Sequence, residues 1–188
     1  MHENRILIHK LKNFENINSN FLIITLMLFG SILLAISAKV QVPFWPVPMT
    51  MQTFVIFLIG MTYSVRLSFA TVAFYLFQGA IGLPVFAAGG GVAYLVGPTA
   101  GYLYGMLFAS IVISYLANLG LSKTYFKATV SLLIGSAIIF SFGIIYLGYI
   151  IGFEKAVAAG LLPFIPSELF KIALAVALIP TLHKIITK

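Results

Sequence analysis

The chain has 188 residues, of which 61% are hydrophobic and 8% are charged, and its formal net charge is +7. Soluble domains carry about 25% charged residues, so this composition excludes a soluble globular protein and predicts an all-α integral membrane protein. The sequence contains no cysteine, which excludes disulfides, thiolate metal sites and cysteine nucleophiles. Basic residues of membrane proteins concentrate in cytoplasmic loops, so the positive charge needs no nucleic-acid partner.

Six membrane-spanning helices are predicted behind a polar cytoplasmic tail, with residues 1–20 as the tail and residues 21–188 as the membrane domain. Each predicted helix is an apolar run of roughly spanning length. The third is short, because its 14 residues cover about 21 Å of a hydrocarbon core about 30 Å thick. The predicted spans are Phe21–Ala38, Met49–Val65, Leu67–Ala80, Pro98–Leu119, Lys127–Gly152 and Ser167–Lys184.

The positions of the basic residues predict that both termini lie in the cytoplasm. With the tail inside, eight of the 11 Lys and Arg residues fall on the inner side, and Lys39, Lys155 and Lys171 fall on the outer side. This asymmetry matches the excess of Lys and Arg that cytoplasmic loops carry. The sequence therefore predicts a multi-pass protein in contact with the lipid bilayer.

A stiff segment, PFWPVPMTMQTF (residues 43–54), precedes the second predicted helix. It contains Trp45, the single tryptophan, and Gln52, which must find a hydrogen-bond partner in an apolar helix. That partner is either a ligand or a neighbouring helix. Together with Tyr75, Phe86 and Tyr94, Trp45 is a candidate for the aromatic wall of a pocket, although an interfacial belt explains any one of them.

A Gly-rich stretch, GAIGLPVFAAGGGVAYLVGPTAGY (residues 79–102), follows the third predicted helix. Eight of the 16 glycines lie between Gly79 and Gly105. Irregular backbone at membrane depth is tolerated only where protein or a cavity surrounds it. After so short a helix, the stretch favours a pocket open to the outside over the alternative of an ordinary extracellular loop.

Two ionisable residues, Glu168 and Lys171, lie near the start of the sixth predicted helix. Inside a span each costs about 2.5–3.5 kcal/mol, and their spacing places them on one helix face, where they can pair. A ligand-binding role is therefore predicted. In the simpler alternative Ser167 caps the helix, Glu168 favours its positive end, and Lys171 extends outward to water.

Small residues recur every four positions in the fourth predicted helix, at Gly97, Gly101, Gly105 and Ala109, and predict close internal packing of helices. Ser31 and Ala35 form a shorter version in the first helix, which packs either internally or against a partner protein.

Enzyme activity is not expected. The three histidines lie near the termini without a zinc-protease pattern, and no Gly-Lys-Ser/Thr phosphate loop is present. Neither a cofactor nor a metal is predicted.

Four segments, VPFWPVPMTMQTF, GAIGLPVFAAGGG, GPTAGY and LLPFIPSELFK, occur in this order. Together they resemble the BioY family, the biotin-specific substrate-binding (S) component of energy-coupling-factor (ECF) transporters. The resemblance extends from about Ala35 to Lys184.

The resemblance implies a six-helix S-component-like bundle in the bacterial plasma membrane, with both termini cytoplasmic. It also implies partners, namely a transmembrane coupling (T) subunit and a pair of ABC-type ATPase subunits. The small face at Ser31 and Ala35 resembles the one that docks on the coupling subunit.

The resemblance further implies a biotin pocket near the outer face. Glu168 and Lys171 stand where the family has Asp-x-x-Lys, with Ser167–Glu168 in place of Gly-Asp, so they are expected to accept from and donate to the ureido head. An S component for another vitamin on the same fold is the alternative. The remaining expected site residues are Trp45, Phe86 and Tyr94 as apolar walls and Gln52 as a support of either the head or a gating loop. For the valerate carboxylate, the expected partner is either the backbone N–H groups of Gly89, Gly90 and Gly91 or solvent.

Overall fold

A computed structural model describes residues 19–187 of the chain, with side chains for residues 20–178. The predicted tail, residues 1–20, therefore lies almost entirely outside the described residues. A two-stranded antiparallel hairpin, β1 (Gln41–Val42) and β2 (Met49–Thr50), pairs Gln41 with Thr50. The helices are α1 (Ser19–Lys39), α2 (Gln52–Thr62), α3 (Val65–Ala80), α4 (Val92–Leu95), α5 (Ala100–Leu116), α6 (Tyr125–Ile151), α7 (Phe153–Gly160) and α8 (Ile165–Thr187).

Within residues 19–187, four helical stretches are long and apolar enough to cross a membrane, by length and composition. They are residues 20–39, 100–121, 125–151 and 153–178. The apolar helix α2 has 11 residues and α3 has 16, so both are shorter than the others. The chain is thus a mostly helical membrane protein.

The second predicted span, Met49–Val65, is too long at both ends. Residues 49–50 pair with residues 41–42 in the hairpin, so α2 begins only at Gln52. At the other end Tyr63 has extended backbone, and the side chain of Ser64 accepts a hydrogen bond from the amide of Leu67 to cap α3. An apolar run alone does not reveal these interruptions.

The fourth predicted span also begins two residues too early. Pro98 lies in a turn, and α5 starts at Ala100. At its far end α5 continues into a π-helical turn, Ala117–Leu121, where Gly120 has a φ of +93°. The left-handed backbone at that position favours glycine.

Three of the four residues in the predicted ladder pack against α6, whereas the fourth, Gly97, lies before the start of α5. A side chain at Gly101 would meet the backbone carbonyl of Phe142, and one at Gly105 would meet the backbone of Ile139. Ala109 is fully buried. Because these positions carry so little bulk, α5 and α6 approach closely, which is the expected effect of such a ladder.

The centre of the bundle is the short helix α2. Eight of its 11 residues are buried, and it packs against α1, α5 and α8. This position brings Gln52 and Thr53, at the start of α2, next to the first turn of α8.

Candidate ligand-binding site

A cavity lies where the hairpin loop, the start of α2 and the Gly-rich loop meet α5, α6 and the start of α8. The empty space in and around it, open solvent at its mouth included, is about 490 Å³. Its polar lining is Thr50, Gln52, Thr53, Thr99, Glu168 and Lys171. Its aromatic lining is Tyr94, Tyr102, Phe140 and Phe164.

A buried ion pair forms the polar part of the cavity. Lys171 Nζ lies 3.1 Å from Glu168 Oε2, and the two residues are 4% and 3% exposed. The pairing expected from their spacing on one helix is therefore confirmed. Burial of a pair is tolerated only when further hydrogen bonds satisfy both ions.

Two hydroxyl groups supply those bonds. Thr53 Oγ1 donates to Glu168 Oε2 at 2.9 Å and accepts from Lys171 Nζ at 3.1 Å. Ser136 Oγ donates to Glu168 Oε1 at 3.2 Å. The pair is thus fixed from α2 and α6 as well as from its own helix, and it presents an acceptor and a donor to the cavity.

The simpler alternative for this helix start holds for Glu168, which lies in the first turn of α8, but it is wrong for Ser167 and Lys171. Helix α8 already begins at Ile165, and Ser167 Oγ donates to the carbonyl of Phe164 at 3.1 Å, so Ser167 is not an N-cap. Lys171 points into the protein and not to water, because both of its hydrogen-bond partners are buried.

Gln52 bonds to neighbouring protein groups while also lining the cavity. Its Nε2 donates to the hydroxyl of Tyr75 at 2.8 Å, and its Oε1 accepts from Thr50 Oγ1 at 3.0 Å. The hydroxyl of Tyr75 in turn donates to the carbonyl of Val85 at 3.0 Å. Tyr75 is not part of the cavity lining, so it supports Gln52 from behind.

Phe86 and Tyr94 form a stack whose outer ring faces the cavity. Phe86 is fully buried, edge-on to Tyr75 with ring centroids 5.4 Å apart and stacked on Tyr94 at 4.9 Å. Its ring occupies the space that a side chain at Gly79 would fill. Of the two aromatic residues predicted here, Tyr94 is in the lining and Phe86 holds it in place.

Gly89, Gly90 and Gly91 lie between Phe86 and Tyr94 in the sequence and complete a tight turn, here called the glycine turn, in which Phe86 pairs with Gly89. Gly89 and Gly91 have φ values of +137° and +100°. The amide of Gly89 donates to the carbonyl of Phe86 at 3.3 Å, and the amide of Gly91 donates to the carbonyl of Gly79 at 2.7 Å. Both amides are engaged within the chain, which weakens the case for them as donors to a ligand. Binding through Gly89, Gly90 and Gly91 stays a prediction.

Trp45 is not brought to the cavity. It is 83% exposed, in the hairpin loop, and it is not part of the cavity lining. The neighbouring Phe44 is 44% exposed and contacts Phe164, with ring centroids 6.3 Å apart. The loop therefore reaches the site through Phe44, Val47 and Pro48, while its tryptophan faces outward.

The predicted docking residues of α1 face the interior. Ser31 is 1% exposed, and its hydroxyl donates to Gln78 Oε1 on α3. Ala35 is partly buried against the core. Both residues thus take part in internal packing, and docking of a partner on them stays a prediction.

Several site residues escaped the sequence analysis, among them Thr53, Ser136 and Tyr102. Thr53 lies next to Gln52 in the conspicuous Pro-rich segment, which was an available signal. Ser136 is one of several hydroxyl residues in the apolar helix α6, and its partner is 32 residues away. Tyr102 donates to the carbonyl of Gly160 at 2.8 Å and stacks on Phe164, a contact that no local pattern predicts.

Comparison with known proteins assigns the family. A sequence profile of the BioY family matches residues 11–188. The chain belongs to the BioY family. A curated BioY relative from Rickettsia prowazekii, named "Probable biotin transporter BioY", is 38% identical over 156 residues, which is 82% of this chain and 80% of the relative. "Biotin transporter BioY" of Thermotoga maritima is 36% identical over 155 residues, covering 81% and 90% of the two chains.

A solved structure is similar over nearly the whole BioY fold. It is the crystal structure of the S-component for biotin from an ECF-type ABC transporter. The TM-score is 0.79 with 25% sequence identity, and the match covers 90% of this chain and 94% of the other. Both curated relatives are named as transporters, in agreement with the expectation that this chain is not an enzyme.

Proposed function

We propose that this chain is the biotin-binding component of an energy-coupled vitamin uptake transporter. The observation that carries the proposal is the buried cluster of Glu168, Lys171 and Thr53 in a mostly apolar cavity of a BioY protein. Membership of the family and the names of its relatives supply the ligand.

The cluster suits the polar head of biotin. A ureido group offers N–H donors and a carbonyl acceptor close together, and Glu168 accepts while Lys171 donates. The aromatic lining suits the apolar edges of the fused rings. Glutamate in place of the family's aspartate is one methylene longer, and the hydroxyls of Thr53 and Ser136 fix where its carboxylate lies.

We extend the proposal to the membrane arrangement. Six spans arise when the short helices α2 and α3 are counted with α1, α5, α6 and α8, and both termini then lie in the cytoplasm of a bacterial cell. Arg66, Lys123 and Lys127 fall at helix starts on the inner side under this count. A transmembrane coupling subunit and a pair of ABC-type ATPases complete the transporter, because the S-component that this chain resembles comes from an ECF-type ABC transporter.

Binding is tested directly with the purified chain in detergent. Trp45 fluorescence is followed while biotin is added, and labelled biotin is used in parallel because Trp45 lies outside the cavity. We expect saturable binding in the nanomolar range, a free energy of about −12 kcal/mol. Dethiobiotin should compete, and thiamine and riboflavin should not.

The binding test separates the alternatives. If labelled biotin fails to bind while thiamine or riboflavin binds, the chain is an S component for another vitamin. A Trp45→Phe variant that still binds labelled biotin would show that the tryptophan only reports on the site.

Replacing Thr53 with valine should lower the affinity for biotin by about tenfold. Valine keeps the volume of threonine but removes the hydroxyl that bridges Glu168 and Lys171. The matched control is Thr62→Val at the other end of α2, because the hydroxyl of Thr62 donates only to the carbonyl of Leu58 in its own helix. Calorimetric titration of both variants checks the prediction, and equal affinities would contradict it.

A further inference from the structure

The last residue of α1, Lys39, reaches across to the Gly-rich loop. Its Nζ donates to the carbonyl of Phe86 at 2.6 Å. Two residues later, Gln41 Nε2 donates to the carbonyl of Ala87 at 3.2 Å. Because Ala87 lines the cavity, these two bonds place an ammonium group beside the cavity wall.

The charges in the cavity leave an anionic ligand tail without a counter-ion. Glu168 and Lys171 neutralise each other. Lys155, on α7, is exposed and lies next to Glu154 in the sequence. Lys39 is exposed too, but its ammonium is fixed at the loop that carries Ala87 and the glycine turn.

The position of the polar cluster gives the direction of the ligand. If the ureido head lies on Glu168 and Lys171, the tail must extend away from them along the cavity. Besides the polar cluster, the lining includes Pro48 of the hairpin loop and Ala87 of the Gly-rich loop. Lys39 and Gln41 bond to that second loop from outside the cavity.

We propose that Lys39 binds the carboxylate of the ligand's tail, an inference that rests on the proposed function. One N–H of its ammonium donates to the carbonyl of Phe86, and the remaining N–H groups are free to face an anion at the cavity mouth. The amide of Gly89 points to the same carbonyl of Phe86. The ammonium of Lys39 and the amide of Gly89 therefore lie next to the same carbonyl oxygen. Lys39 supplies a full positive charge, which backbone amides lack.

The effect should be moderate, because Lys39 is exposed and water and salt screen its charge. We expect the carboxylate to improve binding by about tenfold. The advantage should shrink as the ionic strength rises.

The test compares biotin with biotin methyl ester, which keeps the head and lacks the negative charge. Wild type should bind biotin about tenfold more tightly than the ester. Lys39→Met should bind biotin more weakly and the ester as well as wild type does, so the preference for biotin should disappear. Lys39→Arg should keep the preference for biotin. Lys155→Met is the matched control and should behave as wild type.

Each other outcome has one meaning. If Lys39→Met lost the same amount of affinity for biotin and for the ester, Lys39 would only hold the loop in place. If Lys39→Met still bound biotin more tightly than the ester, another group would bind the tail. Either result overturns the inference. Wild type that binds neither compound overturns the proposed function itself. If Lys39→Met does not fold, salt titration of wild type decides, because only biotin affinity should fall with added salt.

Discussion

Glu168→Ala should weaken biotin binding by about a hundredfold or more. The change removes the acceptor for the ureido N–H groups and leaves the ammonium of Lys171 buried with Thr53 as its remaining partner. An uncompensated buried charge costs about 3–5 kcal/mol of stability. Titration with labelled biotin and thermal unfolding in detergent measure the two effects.

Loss of binding must be separated from loss of folding. In the double variant Glu168→Gln, Lys171→Met both charges are removed, so stability should recover while binding stays lost. Glu154→Ala, which changes an exposed carboxylate on α7, should alter neither quantity. Wild-type affinity in Glu168→Ala would refute the assignment of the head to this cluster and leave the family membership untouched.

Gly79→Ala should lower biotin affinity by about 10- to 100-fold and stability by about 1–3 kcal/mol. The added methyl group would overlap the ring of Phe86. That ring is fully buried between Tyr75 and Tyr94, so it cannot move without displacing the aromatic wall. The gain from replacing a helical glycine with alanine, at most about 1 kcal/mol, is smaller than this cost.

Gly97→Ala is the matched control for this substitution. A side chain at Gly97 would meet carbonyl oxygens of Ala93 and Tyr94 at 3.4 and 3.5 Å, which is ordinary contact. We therefore expect affinity and melting temperature close to wild type. If Gly79→Ala also behaved as wild type in both measurements, Phe86 would not be the support of the cavity wall.

The long helices were predictable because their apolar runs carry the signal by themselves. The predicted Lys127–Gly152 became α6 (Tyr125–Ile151), and Ser167–Lys184 became α8 (Ile165–Thr187). The second predicted span was too long because residues 49–50 enter a hairpin. Such pairing depends on a partner strand and not on hydrophobicity.

The site was predictable only as far as it is local. Glu168 and Lys171 are three residues apart on one helix, so their pairing follows from helix geometry. Thr53 meets Glu168 across 115 residues of chain, and this contact depends on how α2 and α8 pack. The position of Trp45 was equally undetermined, because an aromatic residue suits a pocket wall and an exposed interfacial position alike.

The burial of α2 also affects how the protein meets its lipids. A helix of 11 residues extends about 16 Å, roughly half of a hydrocarbon core about 30 Å thick. Facing lipid, it would force the bilayer to thin or its ends to distort. Other helices enclose it instead, so its length need not match the bilayer. A change in bilayer thickness should therefore not shift Gln52 and Thr53, the residues that α2 contributes to the site.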